Sequence, residues 1–122
     1  MRLFGTIGAF SLLLSVAFGA FGAHALRDHL SERMREVFET GVRYQLIHSL
    51  AIVVISLLAG RGVLFTYAGW LYVAGIILFS FSLYLLAITG VRWLGMITPL
   101  GGLSFIAGHA LLIAAFFRLK SS

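Results

Sequence analysis

The sequence has no cysteine and no asparagine, a single proline, and only four acidic residues in 122 positions. Without cysteine there is no disulfide and no thiolate chemistry, and the redox compartment leaves no mark on the chain. With one proline, Pro99, long helices can run uninterrupted. Charge is scarce: Asp, Glu, Lys and Arg make up 11% of the chain, where a soluble domain carries about a quarter. A chain that is 61% hydrophobic cannot cover its surface with polar groups, so that surface must face lipid. The formal charge of +5 comes from dispersed Arg and Lys, with no clustered footprint for nucleic acid, and no nucleic-acid partner is expected.

The apolar residues divide into four runs. A helix crossing a bilayer needs about 20 apolar residues. Leu3–Ala25 is the first run; the second ends at Ala59 and begins between Ser31 and Thr40; Leu64–Thr89 and Pro99–Phe117 complete the set. They use most of the chain, so residues 1–122 are expected to form one transmembrane domain. The expected fold class is all-α: an integral membrane bundle of four transmembrane helices. Arg2 and the small-x-small pattern Ala23-His24-Ala25 resemble a cleavable signal, but the first apolar run exceeds the usual ~7–15 residues of one. It is read as a retained span.

Two spans carry small residues at helical spacing. Gly8, Ser15, Gly19 and Gly22 lie on the first, and Gly101, Ser104 and Gly108 on the fourth. Small residues four apart let two helix backbones approach closely, so these are candidate helix-packing positions. A glycine-lined passage is the alternative.

The stretch between spans one and two holds all four acids, yet Leu30, Met34, Val37, Phe38 and Val42 recur at three- and four-residue spacing. With Ser31 as N-cap, this predicts one helix from Ser31 to Ala59. Its length would be roughly 40–45 Å, against about 30 Å for the hydrocarbon core. Thr98-Pro99 reads as an N-cap followed by an N1 proline.

Leu46–Ala59 alone is too short to span, so the membrane must take in residues from about Thr40. Thr40, Tyr44 and His48 then share one helix face. His24 ends span one on that same side, and His109 sits about ten residues into span four, near mid-depth. Unpaired polar groups in lipid cost several kcal/mol. His24, Thr40, Tyr44, His48 and His109 are therefore expected to form a buried polar cluster, with His24 packed on the Tyr44/His48 face. Histidines could bind a metal or haem, but these come from three helices with no ligand motif, and no carboxylate lies inside a span. No catalytic, cofactor-binding or metal residues are assigned and no cofactor is called for. Phosphate loops, zinc-protease signatures and nucleophile elbows are missing. A small multidrug transporter needs a membrane-embedded glutamate and a fluoride channel needs pore asparagines; neither is present in a span.

The stretches GAFGAHAL (19–26), FETGVRYQLIHSLA (38–51), LFSFSLYLLAITG (78–90) and ITPLGGLSFIAGHAL (97–111) resemble the YgdD/YwdK-like family of small bacterial inner-membrane proteins. The resemblance covers nearly the whole chain. It implies a four-helix membrane protein of an uncharacterised family and supplies no reaction, substrate or cofactor.

The function expected from these observations is that of a non-enzymatic small membrane protein acting through assembly, with itself or with a membrane-protein partner. The alternatives are an oligomeric channel or transporter for a small solute or proton, and a haem- or metal-binding membrane protein. The expected location is the bacterial inner (cell) membrane. Arg2, Arg61, Arg118 and Lys120 fall on one side, and Arg27, Arg33, Arg35, Arg43 and Arg92 on the other. Arg27, Arg33, Arg35 and Arg43 are interleaved with the four acids, Arg43 pairing with Glu39, whereas Arg118 and Lys120 are unopposed, so both termini are expected in the cytoplasm.

Overall fold

A computed structural model describes residues 2–119, the side chain of Ala23 excepted. Lys120, counted above for orientation, lies outside the described residues. The protein is all-α, with four helices long and apolar enough to cross a membrane: α1 (Arg2–Leu26), α2 (Glu32–Arg61), α3 (Val63–Thr89) and α4 (Arg92–Phe117).

The boundaries follow from local chemistry. Ser31 is extended and its hydroxyl accepts from the Met34 N–H at 3.2 Å, capping α2. The helix then runs without a break through the charged stretch into the apolar one, as Glu32–Leu58. Gly90, at φ 72°, ends α3 in the left-handed conformation that glycine adopts at little cost, and its N–H returns to the Leu86 carbonyl. A tight 3-10 turn, Arg92–Met96, feeds directly into Thr98–Phe117. Thr98 is consequently not the side-chain cap that the sequence suggested. The first amides of that helix already bond to the Ile97 carbonyl, and the Thr98 hydroxyl sits 2.6 Å from that of Ser82 on α3.

Two helices contain a wider π turn: Phe18–Gly22 in α1 and Ile76–Ser80 in α3. Such turns insert one residue and loosen the ladder locally.

α1 lies along α2, and α4 lies along α3, while α2 and α3 also pack together. Among the described residues, α1 and α4 make no extended contact. The bundle is therefore a diamond in section, with α2 and α3 across the short diagonal. Its apolar core holds Phe4, Ile52, Phe65, Tyr72 and Phe105. The small-residue stripes set the spacing. A Cβ on Gly8 would meet Val53 at 2.7 Å, and one on Gly108 would meet Tyr72 at 2.7 Å. On Gly101 it would lie 2.3 Å from the Phe79 backbone nitrogen. Gly19 and Gly22 face Val42 and Phe38 of α2. Ser15 is buried and bonds back to the Ser11 carbonyl; Ser104 donates across to the Leu71 carbonyl on α3 at 2.7 Å. All seven positions thus face a neighbouring helix of the same chain.

Candidate functional site: two polar networks on one helix

Helix α2 carries Tyr44-Gln45 and, four residues on, His48-Ser49. Adjacent helical residues are about 100° apart, and residues four apart nearly superimpose. The two pairs therefore make two neighbouring polar stripes, one facing the groove toward α1 and one facing the groove toward α4.

On the α1 side, Gln45 is fully buried. Its amide donates to the Ser11 hydroxyl at 3.0 Å and the Ser11 carbonyl at 3.2 Å, and its oxygen accepts from the Tyr84 hydroxyl at 2.6 Å. Ser49 donates to Ser11 Oγ. One glutamine thereby ties α1, α2 and α3 together. Gly41 makes this possible: its missing Cβ would stand 2.7 Å from the Tyr84 ring and 3.1 Å from the Ser80 carbonyl. Beside it the Ser80 hydroxyl is buried without a partner among the described residues.

On the α4 side, the Tyr72 hydroxyl lies 2.7 Å from His109 Nδ1, His109 Nε2 lies 3.0 Å from His48 Nε2, and His48 Nδ1 lies 2.7 Å from the Tyr44 carbonyl. The partners assign the protons. A carbonyl only accepts, so His48 Nδ1 carries hydrogen and, in the neutral ring, Nε2 accepts. His109 must then donate from Nε2 and accept at Nδ1, from Tyr72. The chain runs one way: Tyr72 O–H to His109, His109 N–H to His48, His48 N–H to the Tyr44 carbonyl. Phe105 stacks on the His48 ring at a centroid distance of 3.6 Å and closes the groove.

Of the five residues expected to cluster, this network unites His48 and His109. Tyr44 contributes its carbonyl and a ring stacked over His48, with its side chain 38% exposed. Thr40 stays out, returning its hydroxyl to the Glu36 carbonyl at 2.9 Å. His24 stays out as well: it is exposed at the membrane-surface end of α1 and does not pack on the Tyr44/His48 face. The register explains the difference: Gly19 meets Val42 and Gly22 meets Phe38, so His24 stands level with the first turns of α2, where it lines a cavity with Arg35, Phe38 and Glu39, short of Tyr44. Tyr72 is fully buried and begins the chain. Gln45, Ser49, Ser11 and Tyr84 were not grouped beforehand, although the spacing of Gln45 and Ser49 repeats that of Tyr44 and His48.

Chemically, the arrangement can hold a directed set of hydrogen bonds or accept one proton between two imidazoles. Two protonated rings could not keep the 3.0 Å contact, because both Nε2 atoms would then be donors. Among the described residues, no three His, Asp or Glu side chains come together as a ligand set.

Residues 18–102 match the family model described as a protein of unknown function (DUF423). The chain belongs to this family. A UPF0382 membrane protein of Staphylococcus haemolyticus is 45% identical over 119 residues, covering 97% of this chain and 98% of its own. The UPF0382 membrane protein YwdK of Bacillus subtilis is 44% identical over 119 residues, covering 94% and 96%. A counterpart in Staphylococcus aureus is 44% identical over the same length. These relatives uphold the resemblance drawn from the four sequence stretches, and with the four apolar helices they make the chain a multi-pass membrane protein. No solved structure matches. The DUF423 match includes Gln45, His48, Tyr72 and Tyr84, and ends before His109.

Proposed function

We propose that this DUF423 protein is a non-enzymatic component of the bacterial inner (cell) membrane that works by self-assembly, with both termini in the cytoplasm. The observation that carries this reading is the position of His109. It lies about 16 Å into the regular part of α4, near mid-bilayer, yet remains exposed on the surface of the single chain. Its nitrogens are occupied internally, but a polar ring edge against lipid is unfavourable, and a second helix laid over α4 would cover it. The flanking Leu103, Ile106 and Ile113 are 62–72% exposed and offer an apolar seam for that contact. The other face of α4, carrying Ser104 and Gly108, is spent on α3.

Because the chain has no cysteine, Ile106→Cys gives a single reporter. Oxidation in native membranes should give a covalent dimer, and the protein in lipid discs should have the mass of an oligomer. Monomer alone in both measurements overturns self-assembly.

A second reading, proton passage, is favoured by the directed chain from Tyr72 to Tyr44. It ends on a carbonyl that cannot pass a proton on. Proton flux in liposomes that disappears with His48→Ala would support this reading; flux indistinguishable from empty liposomes removes it.

A further inference from the structure

We infer that the membrane-surface end of α1 and α2 is a binding site for an anionic glycerophospholipid, with its phosphate between Arg27 and Arg35 and one acyl chain in the groove beneath Phe38. Three observations converge there. A cavity of about 240 Å³ lies where the α1–α2 connection meets the first turns of α2, and its polar wall is His24, Arg27, Arg35 and Glu39. Within it, Arg35 Nε is buried and has no hydrogen-bond partner among the described residues, so a guanidinium donor is left for a ligand. The floor is apolar, made by Leu26, Leu30 and Phe38.

The second cavity decides the class of ligand. A wholly apolar recess of about 230 Å³ shares Leu26 and Phe38 with the first and continues along Phe18, Gly22, Tyr84 and Ile88 toward the bilayer interior. The π turn Phe18–Gly22 lines it, and Gly22, lacking a Cβ, leaves the space in front of Phe38. A basic cup at headgroup level joined to an apolar slot at acyl-chain level fits an amphiphile, not a free anion. Arg suits phosphate because its planar fork offers paired donors.

Charge selects among lipids. In the cup itself Arg27 and Arg35 contribute two positive charges and Glu39 one negative, and Glu32 and Glu36 line an adjoining pocket with Arg35 and Glu39. A lipid bearing one net negative charge neutralises the cup. If that lipid's headgroup carries hydroxyls, one can donate to Glu39. A choline headgroup has no hydrogen to offer Glu39, and any zwitterion leaves the cup positive. The acyl slot borders the Gln45 network at Tyr84, and the site does not depend on self-assembly.

The test is native mass spectrometry of the full chain in detergent, titrated with phosphatidylglycerol, phosphatidylethanolamine, phosphatidylcholine or water-soluble glycerol phosphate. Phosphatidylglycerol should bind most tightly. Arg35→Gln and Arg27→Gln should each weaken it roughly tenfold, as expected for loss of a charge-assisted hydrogen bond. Arg118→Gln, at the opposite end of the bundle, should leave it unchanged. Ile88→Trp, at a position 56% exposed, should fill the acyl slot and weaken the lipid without unfolding the bundle. Unchanged phosphatidylglycerol binding in Arg27→Gln and Arg35→Gln overturns the site. So does equal binding of phosphatidylcholine or phosphatidylethanolamine. Glycerol phosphate binding as well as the lipid, with no effect of Ile88→Trp, would make this an anion site only and overturn the lipid assignment.

Discussion

At the residue scale, Gln45 is the polar side chain with most at stake. It satisfies Ser11 on α1 and Tyr84 on α3 at once, and is itself fully buried. Gln45→Leu removes three interactions and leaves the buried Tyr84 hydroxyl unpaired. The expected loss is about 1–3 kcal/mol, the cost of an unsatisfied buried group, and not the ~0.6 kcal/mol average of one interhelical bond in a membrane. Adding Tyr84→Phe to Gln45→Leu should cost less than the sum of the single losses, because the orphan is gone. Unfolding in mixed detergent would read both; strict additivity would mean that the two side chains do not share a bond.

Close approach gives a second test at this scale. Gly101 and Gly102 are neighbours with equal helix propensity and opposite surroundings. A Cβ on Gly101 would collide with the α3 backbone at 2.3 Å, whereas on Gly102 its nearest neighbour is a Phe79 ring carbon at 3.9 Å. Gly101→Ala should therefore destabilise strongly. Gly102→Ala should be neutral or gain up to about 1 kcal/mol of helix propensity. Equal effects on thermal stability would contradict the α3–α4 packing described.

At the element scale, α2 is one helix from Glu32 into the membrane, and its first turn differs physically from its third. Proline is tolerated at the first helical position, where its missing N–H has no intrahelical acceptor, and breaks an interior turn. Glu32→Pro should be nearly silent, while Val37→Pro should cost about 3 kcal/mol and reduce helicity. Circular dichroism with a melting series checks this; the same outcome for both would mean that the charged stretch is not helical.

The elements also show what the sequence reveals and conceals. Four helices were legible because length and apolarity alone set a membrane span, and Ser31 was legible because N-capping is a local property. Thr98 was misread by the same local rule, since capping applies only where the chain arrives extended, and here it arrives already coiled. The π turns left no trace in a three- and four-residue periodicity. Helix register was the main gap. His24 was assigned to the Tyr44/His48 face by its place at the end of span one, whereas the Gly22–Phe38 contact puts it level with the first turns of α2. The Gln45 network could have been found by extending the Tyr44/His48 stripe by one position.

At the scale of the whole molecule, the bundle has α2 and α3 at its centre and α1 and α4 at its flanks, so each outer helix is held by its own small-residue stripe and polar network. Chain connectivity does not require this: four antiparallel helices could equally close into a square with α1 against α4. The choice is made by side chains, Gly8 and Ser11 fitting α2 on one flank, Gly101, Ser104 and Gly108 fitting α3 on the other. The background without cysteine makes the choice measurable. Ser11→Cys with Ser49→Cys joins positions whose hydroxyls already touch across α1 and α2, and should form a disulfide within one chain on mild oxidation. Ser15→Cys with Ser104→Cys joins the two flanks and should form none, because Ser15 is buried against α2 and Ser104 is turned to α3. Mobility on a non-reducing gel, read in dilute detergent where contacts between copies are lost, separates the two arrangements. Rapid closure of the Ser15–Ser104 pair would replace the diamond with a square, and would mean that the two polar grooves face each other across a common interior instead of lying on opposite sides of α2 and α3.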